Sequence, residues 1–221
     1  MKKTFLPAIL ALIVLGSCSS KKADEHHHST NNDETVTTSN ECTFTYDASS
    51  TQVLWTAFKH STKTPVSGNL QAFEITASTS NHPLGVLKDA TFKIGTAPSN
   101  INSNDTLRDR KISQFFFGVM TNTNEITASI KSLEEGNGQG SGVLILNVND
   151  VKKELPLEYT VDGEKITLTA SVNFEDWNGQ TALASLNDKC AAKHTGEDGE
   201  KKLWPEVKIV VTTELNKACN Y

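Results

Sequence analysis

The stretch LPLEYTVDGEKITLTASV, residues 155–172, decides the fold class. Leu155, Leu157, Tyr159 and Val161 fall on one side of an extended chain, with Pro156, Glu158 and Thr160 on the other. Beyond Asp162-Gly163 the alternation resumes, with Ile166, Leu168, Ala170 and Val172 opposing Lys165, Thr167, Thr169 and Ser171. Successive side chains of a strand point to opposite faces, so a spacing of two marks a half-buried strand. Two such runs joined by Asp-Gly predict a β-hairpin with a type I′ turn, which needs positive φ at both central residues. Pro156 has no N–H for a ladder, and therefore places the start of the first strand near an edge, a bulge or the end of a pairing.

Working outward, similar runs occur at 43–47 continuing through 52–59, then at 65–78, 86–95, 124–134, 142–150 and 206–216. In the last, Val207, Ile209, Val211, Thr213 and Leu215 alternate with Lys208, Val210, Thr212 and Glu214. With the hairpin, this predicts about eight strands, the pattern of a sandwich or of a closed antiparallel barrel. Two segments break the alternation. Asn104 or Asp105 is placed to cap a short helix in which Leu107, Lys111 and Ile112 share a helical spacing, and 178–189 is a second helical segment with Ala182, Leu183 and Leu186 on one face.

The N-terminus reads as an address. Lys2 and Lys3 precede an apolar stretch from Phe5 to Leu15, which suits a secretory signal and is too short to span a bilayer. It ends in Leu15-Gly16-Ser17-Cys18, which resembles the bacterial lipobox, and so predicts lipidation of Cys18. Residues 1–17 are then a lipoprotein signal peptide. Residues 18–41, poor in large aliphatic side chains and rich in Ser, Thr, Asn and charge, are a flexible tether. Residues 42–221 are the folded domain. Ser19, in place of an Asp after the lipidated residue, points to the outer membrane, on its periplasmic face or at the cell surface.

Across 221 residues, 21 Lys and Arg stand against 26 Asp and Glu, a net charge of −5. Removal of Lys2 and Lys3 with the signal leaves 19 against 26, or −7. No basic excess is left to grip a phosphate backbone, which argues against a nucleic-acid partner. No apolar run reaches the roughly 20 residues of a membrane helix. Four cysteines are present. In an even-stranded barrel the start of the first strand and the end of the last share a rim, and Cys42 and Cys219 hold those places. A Cys42–Cys219 disulfide in an oxidising, exported setting is the expected pairing, with Cys190–Cys219 its competitor.

Three segments resemble the YceI family of lipid- and polyisoprenoid-binding proteins. The first is Val53-Leu54-Trp55-Thr56-Ala57-Phe58-Lys59 with Pro65-Val66-Ser67-Gly68, which resembles the family's opening strand and the small-residue turn after it. The second, and most specific, is Asn104-Asp105-Thr106-Leu107-Arg108-Asp109 followed by Ile112 and Phe115-Phe116-Phe117, similar to the family's Arg-Asp helix and Phe pair. The third runs from Leu155 through Phe174-Glu175-Asp176-Trp177. The resemblance covers about residues 43–216, with Cys190 to Trp204 similar to an insertion of lipoprotein members. It implies an all-β, eight-stranded antiparallel, lipocalin-like barrel with one or two short helices and an elongated apolar cavity for an isoprenoid chain.

A prenyl chain offers only apolar surface, so such a cavity needs aliphatic and aromatic walls with few polar groups. The expected lining residues are Trp55, Phe73, Phe92, Phe116, Leu157, Tyr159, Leu168 and Phe174; each taken singly fits an ordinary core residue better, and the expectation rests on the set. Arg108 is placed either to meet a polar head group or to pair locally; Asp105 and Asp109 fit structural roles. No G-x-S-x-G elbow, Gly-rich phosphate loop or H-E-x-x-H motif is present, and neither catalysis nor a cofactor is expected. Cys190 and His194 at C-x₃-H spacing form half a metal or redox site at most, and His26, His27 and His28 lie on the tether. The expected activity is binding or carriage of a long isoprenoid lipid, of quinone or polyprenyl type, by a membrane-anchored protein. The competing class is a structural or interaction lipoprotein whose barrel is packed solid.

Overall fold

The computed structural model describes residues 41–220, so the signal, Cys18 and the tether through residue 40 lie outside the described residues. The domain is all-β: one antiparallel curled sheet of ten strands, a separate two-stranded ribbon and a few short helices. In chain order the strands are β1 (Cys42–Thr45), β2 (Gln52–Lys59), β3 (Thr64–Leu70), β4 (Phe73–Thr76), β5 (Thr91–Gly95) and β6 (Ile101–Asn102). After helix α1 (Thr106–Phe115) come β7 (Glu125–Leu133), β8 (Gln139–Val148), β9 (Val151–Asp162) and β10 (Lys165–Asn173). Helices α2 (Gln180–Lys189) and α3 (Ala191–His194) precede β11 (Leu203–Glu214) and β12 (Asn216–Cys219). The sheet order is β4-β5-β7-β8-β9-β10-β11-β2-β3-β6, and β1 pairs with β12 outside it.

The residues that alternate in the sequence alternate in burial. Leu155, Leu157 and Tyr159 of β9 are buried while Glu154, Pro156, Glu158 and Thr160 are exposed, and Ile166, Leu168 and Val172 of β10 are buried opposite them. Cross-strand register carries this inner row around the sheet: Leu157 pairs with Ala170, Ala170 with Ile209, Ile209 with Trp55 and Trp55 with Gly68. Pro156 lies one residue past the last β9–β10 pair, Leu157 with Ala170, so its missing N–H falls where that ladder ends.

Several expectations are corrected in detail. The sheet has ten strands where about eight were expected, because the 65–78 run is divided at Gln71-Ala72 and a two-residue β6 joins β3. The 86–95 run begins with a 3₁₀ turn, Pro83–Leu87, whose N-terminus is capped when His82 Nδ1 accepts from Gly85 N–H at 3.1 Å. The type I′ turn is also displaced. Asp162 and Lys165 pair across the β9–β10 hairpin, leaving Gly163-Glu164 as the loop, with positive φ (60°) only at Gly163, the pattern of a type II′ turn. Two consecutive positive φ angles occur instead at Asn149 (54°) and Asp150 (56°), between the paired Val148 and Val151 of β8–β9.

Cys42 and Cys219 are directly opposite each other in the β1–β12 ribbon and form a disulfide; Cys190 is free. The bond closes a ribbon laid on the barrel end, not a seam of the main sheet. Phe44 of that ribbon bridges to Ser80 and is buried with Val86, Leu87, Ile166 and Leu215 in one packed cluster. A second cluster gathers Phe116, Leu146, Val148, Leu155, Phe174 and Trp177 with Leu186 of α2.

Candidate functional site

Residues of both clusters, with others of the curled sheet and helices, line a partly open cavity of about 210 Å³. A single water needs about 10–15 Å³ on the same measure, so this is room for many heavy atoms and not a packing flaw. Its wall contains no charged side chain. Trp55, Leu157, Ala170 and Ile209 form a middle girdle; Leu155, Val172 and Val207 stand on one side of it, Leu168 and Val211 on the other. The helices complete the wall with Ile112 and Phe116 from the α1 end and Leu183 and Leu186 from α2. They do so because Asp105 caps α1, accepting from Leu107 and Arg108 N–H at 3.1 and 3.0 Å, while buried Asp109 accepts from Ser103 N–H at 3.0 Å. These bonds fix the helix on the sheet and leave Leu107 outward, 63% exposed and no part of the expected helical core face.

Two of the wall's polar side chains are satisfied by backbone carbonyls. Thr96 Oγ1 donates to the Thr123 carbonyl, and Trp204 Nε1 donates to the His60 carbonyl at 2.8 Å. The indole of Trp55 lies against Gly68, where a Cβ would stand 2.6 Å from Cζ2 of the ring and 2.5 Å from the Asn102 carbonyl oxygen. Gly68 is therefore the residue that admits a tryptophan to the inner row.

The YceI-like domain model matches residues 44–215. The chain belongs to the YceI-like family. No curated protein sequence matches it. Two solved structures share its fold. BcnA of Burkholderia cenocepacia is 12% identical, covering 78% of this chain and 99% of its own, with a TM-score of 0.52. A mutant of the Campylobacter jejuni YceI protein is 16% identical, covering 74% and 90%, with a TM-score of 0.50. The YceI-like family is one of lipid- and polyisoprenoid-binding proteins.

Within this YceI-like domain, six of the expected lining residues stand on the wall: Trp55, Phe92, Phe116, Leu157, Leu168 and Phe174. Three expected site residues do not. Tyr159 is a core residue of the cluster below the cavity, because its hydroxyl needs a partner and finds it by donating to the Glu134 carbonyl. Phe73 opens β4, an edge strand paired only with β5, and stays half-buried off the wall although its partner Ile94 is on it. Arg108 turns back on its own helix start, donating from one guanidinium nitrogen to the Ser103 carbonyl at 3.3 Å and lying 3.6 Å from Asp105.

Ile112, Leu183, Leu186, Leu203, Trp204 and Ile209 line the cavity without having been expected there. The alternation of β11 and the apolar face of α2 carried the signal for Ile209, Leu183 and Leu186. Leu203 and Trp204 were hidden in the segment that reads as an insertion. In the C-x₃-H pair burial pushes the Cys190 thiol up, and burial together with nearby cations drives His194 down to about 4. Among the described residues no group of three His, Cys, Asp or Glu is placed to hold a metal ion. Among them, too, no helix is long and apolar enough to cross a membrane.

Proposed function

We propose that this protein is an extracytoplasmic binding module that sequesters or carries one long, neutral isoprenoid lipid, of quinone or polyprenyl type, inside its barrel. The observation that carries the reading is a wall without charge around about 210 Å³ of space. A barrel packed with its own side chains would leave no such volume, and an aqueous ligand would find no partners there. Burial of the tail drives binding at roughly 25 cal/mol per Å² before ordering costs. In this reading β3 and β4, separated only by Gln71 and Ala72, are two halves of one bent strand. That strand closes the sheet, giving eight long staves: β2, β3–β4, β5 and β7 to β11.

The protein works by desolvating its cargo and performs no chemistry on it. Its wall offers no Cys, His or charged side chain, and burial pushes Cys190, the free thiol among the described residues, toward its protonated form. The address at residues 1–17 and the lipobox cysteine support anchoring through acyl chains on Cys18, at the outer membrane, with residues 18–41 as the leash. The test is mass spectrometry of an organic extract of the full-length protein purified without denaturation. A prenyl lipid in stoichiometric amount is expected. No recovered lipid, together with no uptake of added prenyl lipids, would overturn the carrier reading. Cys18→Ser is expected to move the protein out of the membrane fraction without altering uptake.

A further inference from the structure

We infer that the lipid is held by a neutral hydrogen-bond-accepting oxygen, a carbonyl, placed inside the barrel against the indole N–H of Trp55. The inference rests on the proposed lipid-binding reading and names the chemistry of its cargo. Trp55 is 7% exposed and lines the cavity, and it belongs to neither packed cluster. Its Nε1–H has no partner. The other two tryptophans differ: Trp177 donates to the Leu146 carbonyl at 3.3 Å and Trp204 to the His60 carbonyl at 2.8 Å.

A buried donor without an acceptor is costly, and native proteins rarely leave one. Water is a poor remedy at this place. A buried water needs about two to four polar partners; the cross-strand neighbours of Trp55 are Ile209 and Gly68, and beside them the Asn102 carbonyl oxygen offers one. An acceptor embedded in an apolar molecule meets the requirement, since it satisfies the N–H while its own hydrocarbon covers the surrounding wall. The same wall excludes an anionic oxygen. One N–H and no lining cation would leave a phosphate uncompensated in an apolar site. The geometry therefore selects a ketone or quinone carbonyl entering the barrel, with the hydrocarbon tail occupying the rest of it.

Two probes of one length separate the possibilities: a farnesyl methyl ketone and the hydrocarbon in which a methylene replaces its carbonyl, each competing with a fluorescent lipid. The ketone is expected to bind about tenfold more tightly to the wild type, the worth of one well-made neutral hydrogen bond. In Trp55→Phe the preference is expected to vanish, read as the ratio of ketone to hydrocarbon affinity within that variant. A second measurement needs no variant. In the Raman spectrum of the wild type, the indole band sensitive to N–H bonding should show one free indole, which becomes bonded on adding the ketone and not the hydrocarbon. Equal affinities for the two probes, or a free-indole band unmoved by the bound ketone, overturn the inference and leave the lipid reading standing. Failure of both probes to bind overturns the lipid reading itself, and this inference with it.

Discussion

Single residues in this domain do work that their sequence neighbours do not advertise. His194 ends α3 buried, and its Nδ1–H donates to Asn187 Oδ1 at 2.9 Å. Burial first, then the charges of Lys59, His60, Lys111 and Lys201, lower its pKa from 6.5 to about 4. Between those values the unfolded chain binds a proton that the folded chain refuses, so this contribution to stability is full above pH 6.5 and is lost as pH falls toward 4. The loss is up to about 3 kcal/mol. Urea unfolding at a series of pH values is expected to show the wild type losing about 1–3 kcal/mol relative to His194→Gln over that window. Parallel curves would refute it. Trp55 and Gly68 make the complementary point about legibility. Trp55 was readable as an inward aromatic from alternation alone, but the need for a glycine opposite it depends on β2–β3 register, which local pattern does not contain.

Elements were more legible than their joints. Strands β7 to β11 and helices α1 and α2 fall close to the runs seen in the sequence, because burial on one face imposes the period. Turns are different. Asp162-Gly163 reads as a type I′ signal, yet register shifts the loop one residue onward, so that Gly163 alone has positive φ. Asn149-Asp150 takes the I′ pattern without glycine. Tertiary bonds support it there: Asn149 Nδ2 donates to the Trp177 carbonyl at 2.8 Å, its Oδ1 accepts from Thr121 N–H at 2.7 Å, and Asp150 accepts from Asn122. Gly163→Ala tests the assignment, since its Cβ meets nothing within 4 Å and only the backbone responds. A loss of about 1–2 kcal/mol is expected in chemical denaturation, with lipid uptake unchanged. A neutral result would mean that Gly163 does not need its positive φ.

At the scale of the whole molecule, the ribbon of β1 and β12 ties the two ends of the described chain across 177 residues through Cys42–Cys219. Closing so long a loop restricts the unfolded chain, and the double replacement Cys42→Ser with Cys219→Ser is expected to cost on the order of 2–5 kcal/mol, read as a lowered melting temperature. Cys190→Ser should leave that temperature unchanged and remove the one free thiol of the described residues; the reverse pattern would assign the bond to Cys190. The sequence by itself determined the all-β class, the inner and outer face of each long strand, the two main helices, the family and the net acidic charge. Those properties are written in period, composition and short motifs, which act over a few residues. Only the tertiary structure decided which inward residues surround space and which surround each other. Tyr159 and Leu157 share one face of one strand and one packed cluster, but the hydroxyl of Tyr159 donates to the Glu134 carbonyl while Leu157 fronts the cavity. The same holds for the cavity itself, an empty volume that arises where strands from distant parts of the chain curl away from one another, and that no local pattern of residues encodes.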